Sequence, residues 1–178
     1  MAKKIPNIVK EIRNNPPPPL NYAFQKNVSF SQMSIFRGCP QRWKLQYKDK
    51  IKRFTSSIHT VFGTAVHESM QHYLDVAYEK SFAAADREID IKDHFQNAYI
   101  SEYQAQYKKN NNSHFSDATE MREFFEDGIA ILEWFKKKRS RYFSKKGTYL
   151  VGCEIPIVIA PNKMLNNVLY MGYLDVVT

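Results

Sequence analysis

Cysteine is scarce in this 178-residue chain: Cys39 and Cys153 stand far apart in no framework pattern, which excludes a secreted disulfide scaffold. By themselves these two cannot hold a metal. Long apolar runs are missing too, since none reaches the roughly 18 residues of a membrane-spanning helix. The lysine-bearing N-terminus leads into Asn and Pro rather than an apolar signal core, so no membrane partner is expected and the chain reads as cytoplasmic, in the host cytoplasm if viral. Acids are nearly absent from the last quarter: after Glu133 only Glu154 and Asp175 remain. What is present, 43% hydrophobic and 25% charged residues, fits a soluble globular domain long enough to bury a core.

The charge is unevenly spread. The formal net charge of +8 has the sign of a nucleic-acid binder. Residues 37 to 53 hold seven basic residues and one acid, and residues 136 to 146 hold seven more and no acid. Between them, residues 68 to 133 carry fourteen acids against six bases. The first basic segment interleaves Trp43, Tyr47 and Phe54 with Arg37, Arg42, Lys44 and Lys48, a mixture that suits a groove tracking phosphates and stacking bases. A solvated helix face is the plainer reading of 136 to 146.

The patterning predicts a helix-rich N-terminal part followed by a β-hairpin, an α+β chain. Residues 1–28, with the run Pro16 to Pro19, read as an extended arm. Ser29 and Gln32 make a capping box for a helix to about Gly38, with Met33 and Phe36 facing inward, and Cys39-Pro40 breaks it before a second helical piece to Tyr47. Phe62, Val66, Met70, Leu74 and Ala77 form the buried stripe of a helix over 60–80. Helices over 86–108 and from Asp117 to about Phe143 follow, within an insertion of about 81–146. The period then falls to two over 149–159 and again over 168–177, which predicts paired strands. A two-stranded ribbon is marginal by itself, so helices or further strands must cover it.

Four residues stand out chemically. Gly63 costs about 1 kcal/mol inside a helix and lies one turn before His67, where a side chain would hinder close approach to the imidazole. A helix-packing glycine beside a hydrogen-bonded histidine is the plainer alternative. Asp175 sits in an apolar strand, on the face of Met171, Tyr173 and Val177, where a carboxylate is costly unless paired or metal-bound if that face is covered; a strand-end carboxylate in water is the open alternative. Glu154, next to Ile155-Pro156, suits a sheet edge.

In order, these features are Ser29-Phe30-Ser31 with Cys39-Pro40, Gly63 to Glu68 on a helix, Glu154-Ile155-Pro156 on a strand, and Gly172-Tyr173-Leu174-Asp175 on the next. That order resembles the RecB-like branch of the PD-(D/E)xK nuclease superfamily, which includes the nuclease domains of RecB and AddB and the Cas4 proteins. The resemblance covers 29–178. It implies a restriction-endonuclease-like α/β core and hydrolysis of DNA phosphodiesters with Mg²⁺ or Mn²⁺, in DNA processing or recombination, with a helicase or recombination protein as a further partner and a phage or mobile element as a source. His67 and Asp175 would be the catalytic metal ligands, with Glu154 an auxiliary acid. A neutral imidazole among the ligands favours Mn²⁺. Arg37, Arg42, Trp43, Lys44, Tyr47 and Lys48 would border the site and contact DNA. Cys39 matches one ligand of the iron–sulfur cluster carried by some members.

The family's (D/E)-x-K is expected ten to fifteen residues beyond Asp175, past Thr178. The core is therefore expected to be incomplete and inactive as given. The one match within the sequence, Asp90-Ile91-Lys92, precedes both strands and receives no role. Two other readings stay open: a non-catalytic nucleic-acid-binding or scaffold module on a degenerate nuclease fold, and a mainly helical interaction protein whose His67 and Asp175 never meet. Ligands of one ion must lie within about 5 Å of each other, given metal bonds of roughly 2.0 to 2.3 Å.

Overall fold

The computed structural model describes residues 5–14, 26–51, 56–159 and 168–178, which divide into two compact units, one almost wholly helical and one built on a sheet. The expected polyproline run Pro16 to Pro19, and the basic Lys52 and Arg53 with Phe54, lie outside the described residues.

The helical unit spans Phe54–Leu150. Its centre is α4 (Ile58–Glu79), which packs against α5 (Phe82–Glu88), α6 (Ile91–Lys109) and α7 (Ala118–Tyr142). Each helix begins at a side-chain cap, which answers the unpaired N–H groups of a first turn. Ser57 Oγ accepts from His59 N at 3.3 Å, Ser81 Oγ from Ala84 N at 3.0 Å, and Asp117 Oδ1 from Thr119 N and Glu120 N at 2.8 and 2.9 Å. The expected helix over 86–108 is two helices, because Asp90 caps α6 through Lys92 N and Asp93 N and ends α5 just before it.

The core of this unit is largely apolar and rich in aromatic rings. Val61, Ala65, Tyr73, Leu74, Phe95 and Leu132 are fully buried. Gly128 in α7 has a clear purpose: a Cβ there would sit 2.2 Å from Cζ of the Phe95 ring. At the margin, Asp86 accepts from Tyr73 Oη at 2.8 Å and takes a two-pronged pair from Arg139 at 3.0 and 2.5 Å, with Lys136 Nζ 3.3 Å away. Burial alone would raise its carboxyl pKa, but these three donors hold it below the usual carboxylate value. The basic end of α7 is thus partly an internal clasp rather than a solvated face throughout.

The sheet unit comprises Ile5–Arg53 and Val151–Val177. Strand β1 (Lys26–Ser29) runs parallel to β3 (Val168–Val177), and β3 runs antiparallel to β2 (Gly152–Ile159), in the order β1-β3-β2. The paired strands were expected; β1 was not, because four residues with one apolar side chain give almost no period-2 signal. The N-terminal arm also differs, since Asn7–Asn14 is helical (α1) rather than extended. Next to β1, Ser29 caps α2 (Phe30–Gly38) by accepting from Gln32 N at 3.2 Å, as the capping box predicts. After Cys39, α3 (Pro40–Trp43) runs directly into a π turn over Lys44–Lys48. Met33 and Phe36, expected inside, are 42% and 50% exposed.

Candidate metal centre and nucleic-acid face

Antiparallel pairing fixes the two carboxylates. Cys153 pairs with Val176 and Ile155 with Leu174, so Glu154 falls opposite Asp175 between them. Their ligating oxygens come within 4.8 Å of each other. Two like charges directly opposite across strands destabilise a sheet. Glu154 adds backbone strain, with φ of +52° in the left-handed region that a residue with a Cβ avoids. Left-handed non-glycine backbone costs of order 1–3 kcal/mol and gathers at functional sites. Asp175 and Glu154 are both exposed, which agrees with a carboxylate in water at Asp175 rather than with a covered strand face. Strand β2 is an edge of the described sheet, and Pro156 can sit there without removing an inner ladder bond.

This donor set fits a hard divalent cation. Carboxylate oxygens bind Mg²⁺ at about 2.0–2.1 Å and larger cations a few tenths of an ångström further out, so oxygens less than 4.8 Å apart can share one ion. His67 belongs to the helical unit, half-buried on α4. One turn earlier, a Cβ added to Gly63 would meet nothing within 4 Å among the described residues. Helix packing therefore does not explain that glycine.

A family model, the PD-(D/E)XK nuclease superfamily, matches residues 27–155. The chain belongs to that superfamily. The match takes in Cys39-Pro40, the Gly63 to Glu68 segment and Glu154, whereas Asp175 lies beyond it. No match was found among curated proteins, nor among solved structures. Superfamily members are metal-dependent nucleases, so nucleic acid is the substrate class and the helical chain with its small mixed sheet is consistent with an α+β nuclease fold. Among the described residues no helix is long and apolar enough to cross a membrane.

The superfamily's (D/E)-x-K is not Asp90-Ile91-Lys92. There the aspartate is the cap of α6 and Lys92 Nζ pairs with Glu133 at 2.5 Å, both inside the helical unit. Cys39, the expected cluster ligand, is an exposed free thiol that caps α3, its Sγ accepting from Arg42 N at 3.4 Å. That capping accounts for Cys-Pro at a helix start without a cluster. Cys153 is half-buried on β2.

The expected DNA-contacting residues share one short stretch of the sheet unit. Arg37, Arg42, Lys44 and Lys48 are exposed, while Trp43 and Tyr47 are half-buried. The rings of Trp43 and Tyr47 stack at 6.4 Å, and Phe36 meets Trp43 edge-on at 5.6 Å. The π turn widens the helix between Trp43 and Tyr47, a local distortion frequent at functional sites. Sequence periodicity gave no sign of it, nor of the stacked His72 and His94 rings 4.6 Å apart between α4 and α6.

Proposed function

We propose that this chain carries the metal-binding part of a RecB-like DNA exonuclease, with His67, Glu154 and Asp175 as the ligands of Mg²⁺ or Mn²⁺. The observation that carries the reading is the opposed Glu154 and Asp175 pair, held close with a left-handed backbone at Glu154, in a member of a nuclease superfamily. A bound divalent ion would polarise the scissile phosphate and lower the pKa of water. The protein's own part is to aim two oxygens from adjacent strands at one ion, with an imidazole as the third ligand in this reading. The exposed bases Arg37, Arg42, Lys44 and Lys48 attract and track the phosphate backbone. Cytoplasmic DNA processing or recombination alongside a helicase is the setting that fits this activity.

The test is degradation of end-labelled DNA by the complete gene product with Mn²⁺. His67→Ala, Glu154→Gln and Asp175→Asn are each expected to cut the rate by about a hundredfold or more, the scale of several kcal/mol of lost charge stabilisation. Full activity in all three would overturn the assignment. The second reading, a nucleic-acid-binding module that does not cleave, draws on the exposed Arg37, Arg42, Lys44 and Lys48 alone. DNA binding without hydrolysis at any Mn²⁺ concentration would select it.

A further inference from the structure

Helix α7 has an outward face that packing within the chain does not use. Its inward side carries the buried Gly128, Leu132 and Phe135, and Lys136 and Arg139 turn to the Asp86 clasp. Steps of four and three residues trace a second line, on which Glu123, Asp127, Ile131, Trp134, Lys138 and Arg141 are all exposed. Trp134 is 53% exposed, and Tyr142, its ring 6.4 Å away, adds to the apolar surface. The line is acidic toward the N-terminal end of α7, apolar in the middle and basic toward the C-terminal end. The helix dipole does not account for this order, because it acts within the first and last turns, whereas Glu123 and Asp127 lie beyond the first turn and Lys138 before the last. Internal ion pairs do not account for it either, since Glu123, Asp127 and Lys138 pair with no other described residue.

A face whose two ends carry opposite charges is complementary to itself turned end for end. About a twofold axis between Ile131 and Trp134, an antiparallel copy of α7 sets Ile131 against the partner's Trp134, Asp127 against the partner's Lys138 and Glu123 against the partner's Arg141, each contact occurring twice. A parallel copy sets like charge on like. Nucleic acid suits this face poorly, since Glu123 and Asp127 repel its phosphates. We propose that the outer face of α7 is the interface of an antiparallel, twofold-symmetric dimer of this chain. The proposal goes beyond the nuclease reading and requires nothing of the metal centre. The line from Glu123 to Arg141 is about 27 Å long, and one such face falls short of the roughly 800 Å² per partner of a standard interface. The dimer is therefore a weak one, with a dissociation constant on the order of 10 µM.

Sedimentation equilibrium of the whole chain tests this over about 1 to 200 µM, a range that brackets such an affinity. The mass is expected to climb from one chain toward two, and to climb less steeply as salt rises. Asp127→Lys and Lys138→Glu each set like charges together at both contacts and are expected to weaken association about tenfold or more. An equimolar mixture of these two variants should dimerise again, because every 127–138 contact between them joins opposite charges. Misfolded variants would not recover on mixing, so the mixture separates a lost contact from a lost fold. Trp134→Ala, at the centre of the face, should also weaken the dimer about tenfold or more, as truncating a central aromatic anchor does. A chain that stays monomeric throughout that range overturns the proposal, including the case in which this face serves a different protein. Association unchanged by Trp134→Ala, or a mixture of the two charge variants that stays monomeric, overturns it as well.

Discussion

The helical unit and the sheet unit use their residues in opposite ways. In the helical unit nearly every local choice serves packing: side-chain caps open the helices, aromatic rings interlock, and a glycine makes room for a phenylalanine ring. In the sheet unit the conspicuous choices work against stability. Two acids face each other across strands, a glutamate takes a left-handed backbone, and Phe30, Phe36 and Met33 lie open to water. Local features that conflict with folding are expected where function demands them. The contrast therefore points to chemistry and ligand contact chiefly in the sheet unit, and to support in the helical one, with His67 and Gly63 on α4 as its exception.

That contrast can be broken by mutation, beginning with the largest effect. Leu132→Ala, in the buried core, is expected to lower stability by about 2–5 kcal/mol, read as a shift in the denaturation midpoint. Gly128→Ala should cost about 1–3 kcal/mol, because the new methyl overlaps the Phe95 ring and overpacks the core. Neither change should alter which metal the chain binds once it is folded. In the sheet unit the sign reverses. Glu154→Gly relieves both the left-handed strain and the opposed charge, and is expected to raise apo stability by up to about 1 kcal/mol while weakening Mn²⁺ binding. A loss of stability there would mean that the backbone of Glu154 is not strained for function.

Gly63→Ala sharpens the comparison from within α4. Because nothing crowds the position, the substitution should stabilise the helix by up to about 1 kcal/mol. A fall in DNA cleavage in that same variant would assign Gly63 to substrate approach near His67.

The smallest expected effect is a pH slope. The His94 imidazole has its pKa lowered by burial and by the stacked His72, with Glu68 opposing. The unfolded chain then takes up that proton first as pH falls from about 6.5, the unperturbed value. Stability should decline as pH drops from there toward the lower folded pKa, and His94→Gln should flatten the slope. Asp86 acts with the same sign at more acid pH. Its carboxyl is held below the usual value by Tyr73, Arg139 and Lys136, so its contribution is present above the ordinary carboxylate pKa and is lost as pH falls through the folded one.

Much of the helical unit was legible because its signals are local. The Asp117 cap encodes α7 within one turn, as the Ser29–Gln32 box encodes α2 in the sheet unit. The α4 stripe marked the helix and its Leu74 and Ala77 but not its buried face, which runs through Val61, Ala65, Ser69 and Tyr73 and leaves Phe62, Val66 and Met70 half-buried. The division of 86–108 was missed because Asp90 reads equally as an interior acid or a cap, and only the turn of the chain at Ile89 decides. Strand β1 was missed because its pairing partner lies some 140 residues away, beyond any local period. Glu154 and Asp175 could be singled out as lone acids on strands, but their juxtaposition depends on the register between β2 and β3, which spacing alone does not set. Met33 and Phe36 misled for another reason: an apolar residue on a short helix looks the same whether it faces a core or open solvent.

The central claim is that the strained, opposed acids form a metal centre, and calorimetric titration of Mn²⁺ into the apo chain tests it most directly. One ion per chain is predicted, with affinity lost in Glu154→Gln and Asp175→Asn, reduced in His67→Ala, and unchanged in Gly128→Ala at a temperature where it is folded. Mn²⁺ binding that survives in both acid variants would contradict the account.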